Sequence, residues 1–101
     1  MLVALSVRKL KPGAYEDFRR AWEPDEFPPG FQRAFHVRGI HDPDEVVSFG
    51  FIEGDASGLD SLREQIQDVE ERRQAAMAPH VKELIVDGIF EVVDEVAPVA
   101  R

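Results

Sequence analysis

The stretch FHVRGIHDPDEVVSFGFIEG, residues 35–54, decides the fold. On both sides of the Asp42-Pro43-Asp44 tip, large apolar side chains alternate with small or polar ones. A period of two is the mark of a β-strand, so the stretch predicts a hairpin. Asp bonds its own backbone and Pro presets φ, which makes the tip turn chemistry. With the turn centred on Pro43, Phe35 faces Phe51, Val37 faces Phe49 and Gly39 faces Val47. The large aromatic groups then share one face, and a one-residue slip would mix the faces, so burial sets the register. The same alternation puts His36 and His41 on opposite sides of their strand. They do not converge on one ion, and no metal site is expected here.

The rest of the chain supplies the partners of this hairpin. LVALSV, residues 2–7, alternates and reads as a first strand, closed by the breaker Lys11-Pro12-Gly13. Tyr15, Phe18 and Trp22 recur at helical spacing and mark one face of a short helix. Three prolines between Glu23 and Gly30 make a loop. Asp55 or Ser57 is the expected N-cap of a second helix. That helix is expected over Leu59–His80, with Leu59, Leu62, Ile66, Val69 and Arg73 on its inner stripe. Pro79 threatens its end by disfavouring helical backbone at Ala78. A last strand is expected over Gly88–Val96. The order β-α-β-β-α-β predicts an α+β, ferredoxin-like fold with one antiparallel sheet and both helices on one face. A length of 101 residues without a linker reads as a single domain over 1–101.

Composition narrows the function classes. A net charge of −8 argues against a nucleic-acid partner and against an anionic membrane surface. No run of apolar residues is long enough to span a bilayer, and the N-terminus lacks the basic region of a signal peptide. The chain has no cysteine, which excludes a thiol nucleophile, a thiolate metal site and a disulfide. A cytoplasmic location is the default expectation.

The two sheet faces differ. The Phe-rich face is expected under the helices. The other carries Ala4, Ser6, Ala34, His36, Ser48, Gly50 and Ile52. Small side chains permit close approach of another sheet, so this face is expected to meet a second subunit. The candidate dimer interface is therefore Ser6, His36, Arg38, Ser48, Gly50 and Glu91, with Arg38 or His36 pairing across it with Glu91 or Glu95. The candidate pocket lining is Tyr15, Phe18, Trp22, Phe35 and Phe49, suited to a small apolar or aromatic ligand. His80, at a helix end, is the candidate acid/base.

Val7–Phe18 (VRKLKPGAYEDF), the Asp42-Pro43 turn and Glu91–Val96 (EVVDEV) resemble the dimeric α/β-barrel superfamily, and within it the antibiotic biosynthesis monooxygenase-like domains. The resemblance implies two sheets closing into a barrel across a homodimer, with a pocket between each sheet and its helices. Members include cofactor-free oxygenases acting on polyketide-like aromatics, haem-degrading enzymes and small isomerases. The haem-degrading branch uses an Asn, a Trp and a His. Here asparagine is absent and Trp22 lies on the first helix rather than the second, so that triad is incomplete and no cofactor is expected. Two readings remain. One is a small-molecule enzyme, a cofactor-independent monooxygenase or isomerase on an aromatic or polyketide-like substrate, needing only a base and a dry pocket. The other is a non-catalytic homodimeric ligand-binding or interaction module.

Overall fold

A computed structural model describes residues 1–99. Its elements run β1 Leu2–Leu10, α1 Tyr15–Trp22, β2 Phe31–Arg38, β3 Glu45–Ile52, α2 Leu59–Met77 and β4 Val81–Glu91. Short 3-10 turns at Ala56–Gly58 and Ala78–His80 flank α2. The four strands form one antiparallel sheet in the order β2-β3-β1-β4, the ferredoxin-like arrangement expected from the element order. Among the described residues, no helix is long and apolar enough to cross a membrane.

Local chemistry accounts for most boundaries. Asp55 caps the turn before α2, accepting from the Ser57 amide at 3.0 Å. Pro79 lies within the 3-10 turn that ends α2, so the α-helix stops at Met77 and not at His80. Val81 is already extended. The last strand consequently begins earlier than the expected Gly88–Val96, because β1 is the template that pairs it. Leu10 stands opposite Val81 and Leu2 opposite Glu91. Two register shifts fit the 11 residues of β4 to the 9 of β1.

The hairpin forms, but with a tighter register than expected. Phe35 faces Phe49, Val37 faces Val47 and His36 faces Ser48. The turn is held by the Asp42 carbonyl, which accepts from the Glu45 amide at 3.1 Å, and by its side chain, which accepts from the Asp44 amide at 3.2 Å. Lys9 also pairs with Asp42. Gly39 is needed here because a Cβ would lie 2.8 Å from the Asp42 carbonyl oxygen. The change moves each partner by two residues, so every side chain keeps its expected face.

The main correction concerns which face the helices cover. Leu2, Ser6, Arg8 and Leu10 of β1 and Val46, Ser48 and Ile52 of β3 are buried under the helices. The Phe-rich face is open, with Phe35 40 % and Phe90 49 % exposed. The reason is volume. The helices bring their own bulk, with Phe18 and Met77 filling the space over Leu10 and Val46. Leu62 and Ile66 do the same over Leu2 and Ile52. These contacts lie at the two ends of the sheet, and the face beneath the helices is the one whose centre, Ser6, Ser48 and Gly50, is small.

Phe18 is fully buried in the first of these clusters. Phe18→Ala should cost about 3–5 kcal/mol, the range for emptying a buried aromatic site. Urea unfolding measures it, and a loss below about 1 kcal/mol would show that the cluster collapses around the gap.

Candidate functional site

Small side chains at the centre of the covered face leave a space between the sheet and α2. It is a cavity of about 780 Å³, within the size range of small-molecule sites. Its apolar wall comes from Trp22 at the end of α1, from Phe27 in the proline loop and from Phe31 at the start of β2. Phe27 and Phe31 stack with their ring centres 4.4 Å apart. Ile66 and Val69 of α2 face them across the space.

The floor is polar. Ser6 and Ser48 stand directly opposite each other on the two central strands, and both are buried. Ser48 Oγ lies 2.7 Å from His36 Nδ1, which pairs with it from β2. Arg8, two residues beyond Ser6 on the same face, donates through Nη1 to Ser6 Oγ. The guanidinium also lies 5.5 Å from the centre of the Phe18 ring. His36 itself sits behind the floor, edge-on to Trp22 at 4.5 Å and to Phe18 at 5.9 Å.

Burial and charge set the protonation of this cluster. His36 is pushed down to about 4, first by desolvation and then by the positive charges of Arg19, Arg8 and Arg73. At neutral pH its ring is therefore uncharged, with one nitrogen able to accept a proton. Burial also lowers Arg8, partly offset by the charge of Asp87. Arg73 is committed elsewhere. It pairs with Glu70, donates to the Trp22 carbonyl and lies 4.9 Å from the centre of the Trp22 ring.

Several expected site residues fall in other places. Ser6, His36, Ser48 and Gly50 are covered by their own chain, so the interface assigned to them is corrected to a floor beneath the helices. Arg38 lies over the Tyr15 ring at 5.3 Å, and Glu91 accepts from the Ala56 amide at 3.3 Å, both within the chain. Phe35 and Phe49 stack on the opposite sheet face and do not line the cavity. Tyr15 and Phe18 pack in the core beside it, and of the five expected lining residues Trp22 alone reaches it. His80 is also displaced from the cavity. It closes the turn before β4, where its carbonyl accepts from the Lys11 amide at 3.0 Å. Arg8 was the residue sequence reasoning passed over. Its only signal was a charged side chain in phase with Leu2, Ser6 and Leu10.

No family model matches the chain, and no curated protein matches it. Solved structures do. A "putative antibiotic biosynthesis monooxygenase" from Chloroflexus aurantiacus superposes with a TM-score of 0.66 at 16% identity, covering 95% of this chain and 96% of that one. A protein of the same name from Nitrosomonas europaea gives 0.66 at 16% identity, over 93% and 100% of the two chains. A conserved protein from Methanosarcina mazei gives 0.58 at 9% identity, over 88% and 89%. The chain thus shares the fold of proteins bearing the name implied by the sequence resemblance.

The lowered His36 carries a stability signature. Its folded-state value lies below the ordinary 6.5 of an unfolded histidine. The unfolded chain therefore takes up the proton first as pH falls. The contribution is fully present above about 6.5 and lost as pH drops toward about 4. His36→Gln should flatten the fall of the urea midpoint between pH 6.5 and 4.5. An unchanged slope would mean that the ring titrates normally.

Proposed function

We propose that the chain is a small-molecule enzyme of the cofactor-independent oxygenase type, with the helix–sheet cavity as its active site. The observation that carries this reading is a neutral histidine hydrogen-bonded, at 2.7 Å, to a serine on the floor of a cavity walled by aromatic groups. The substrate class that fits is an aromatic or polyketide-like molecule with an activated CH₂ or phenolic group. The Ser48 hydroxyl hands its proton to His36 as it takes one from the substrate, so base and substrate need not touch. The resulting carbanion reacts with O₂, and loss of water leaves a carbonyl: CH₂ + O₂ gives C=O + H₂O. With His36 near 4, proton transfer must be helped by charge stabilisation of the carbanion inside the cavity. An isomerase would use the same proton transfer and return the proton to a different carbon. The names of the structural relatives agree with this reading.

An oxygen electrode with a panel of enolisable aromatic ketones and hydroquinones tests it. Uptake above the protein-free rate is expected, and His36→Gln or Ser48→Ala should lower it by about 10²-fold, the size of a general-base contribution. Neither O₂ uptake nor exchange of substrate hydrogen with solvent deuterium on any member of the panel would sink the enzyme reading. A non-catalytic ligand-binding module would then stand. It is favoured by one observation: among the described residues, no buried side-chain polar atom lacks a hydrogen-bond partner, as a purely structural network requires.

The same proposal includes a homodimer formed through the open sheet face. Phe35 and Val37 of β2 and Val86 and Phe90 of β4 are exposed on it. An apolar sheet face of this kind is the signature of a covered surface. A second copy, packed sheet to sheet, would close it. Phe35→Glu should convert a dimer into a monomer in sedimentation analysis, whereas a wild-type monomer at micromolar concentration would overturn the assignment.

A further inference from the structure

We infer that the cavity selects a monoanionic aromatic ligand, whose ionised oxygen group seats on Arg8. This rests on the reading of the cavity as a ligand site and adds the charge of the ligand.

Three cationic side chains line the cavity: Arg8, Arg63 and Arg73. Arg63 is exposed. Arg73 is bound to Glu70 and to Trp22. Arg8 differs from both. It is 4 % exposed and forms no ion pair among the described residues. Its one hydrogen-bond acceptor there is the Ser6 hydroxyl. A guanidinium has five N–H donors in a planar fork matched to a carboxylate or similar oxyanion. The desolvation cost of this buried cation is offset only in part, by the more distant charges of Asp87 and Glu70. An anion arriving in the cavity would remove that cost and form charge-assisted hydrogen bonds.

The remaining charges define the class further. Glu26, Glu64, Glu70, Glu71 and Asp87 also line the space. Glu70 is paired with Arg73, Asp87 stands opposite Ser6 and acts on Arg8 through its charge, and Glu26, Glu64 and Glu71 are exposed. The site thus holds one buried, unpaired cation among several acids. That arrangement admits one negative charge carried deep on an apolar frame and opposes a dianion such as a phosphate monoester. Trp22, Phe27 and Phe31 supply the surface for the rings.

The chain contains one tryptophan, Trp22, and it lines the cavity, so its fluorescence reports occupancy. The probes are anthraquinone-2-carboxylate and its neutral isostere anthraquinone-2-carboxamide, titrated at pH 7.5. The unmodified chain should bind the carboxylate at least about ten-fold more tightly, as expected for a charge-assisted hydrogen bond against a neutral one. Arg8→Met should bring the ratio near one while leaving carboxamide binding in place, and Arg8→Lys should restore part of the preference. Equal binding of the two probes by the unmodified chain would overturn the inference while the cavity reading survives. A preference that persists in folded Arg8→Met would also overturn it, moving the anion to Arg63 or Arg73. Quenching by neither probe would remove the cavity as a ligand site altogether. If Arg8→Met does not fold, as circular dichroism would reveal, the ratio in the unmodified chain and in Arg8→Lys still decides.

Discussion

Two serines facing each other at the centre of the sheet are the constraint on which the rest of this structure depends. Ser6 and Ser48 are hydrogen-bonding groups buried beneath helices, on the two central strands. Buried hydroxyls need partners, and these bring Arg8 and His36 onto the same face. They are also small, so the helices meet the sheet fully only at its two ends, over Leu10 and Val46 on one side and Leu2 and Ile52 on the other. The gap between those two clusters is the cavity. A single choice of residue size thus produces a split core, a polar floor and an internal space at once.

The electrostatics follow from the same choice. Burial first, and then the charges of Arg19, Arg8 and Arg73, keep His36 neutral. The aromatic rings around it exclude water and press edge-on against the imidazole. Two polar pairs, Arg8 with Ser6 and His36 with Ser48, stand side by side across three strands. Buried pairs of this kind are costly to leave half satisfied.

The open aromatic face is the other half of this arrangement. Phe35 stacks on Phe49, which meets Phe51 edge-on, yet among the described residues no helix covers them. Their side chains would be poor partners for the already bulky helices and good partners for another sheet. The two faces therefore differ in kind: one lies over an internal space, and the other is open apolar surface.

Much of the fold was legible in the chain itself. Period-two alternation placed β1, β2 and β3, the spacing of Tyr15, Phe18 and Trp22 placed α1, and Asp55 and Pro79 bracketed α2. Alternation also sorted residues correctly into two faces, because it depends only on backbone geometry. It carries no information about which face the helices choose. That depends on whether the sheet and helix side chains together fill the gap between layers, a property of two surfaces that are distant in sequence. Residues 81–91 read as β4 only once β1 was present to pair them, since their own alternation is broken by two register shifts. The site followed the same rule. Each of Ser6, Arg8, His36 and Ser48 was visible as a residue, but their convergence required the pairing of β1 with β3 and of β3 with β2, and a roof supplied by the helices. The sequence by itself determined the elements and their two-sided pattern. Packing between remote segments decided which side became the interior.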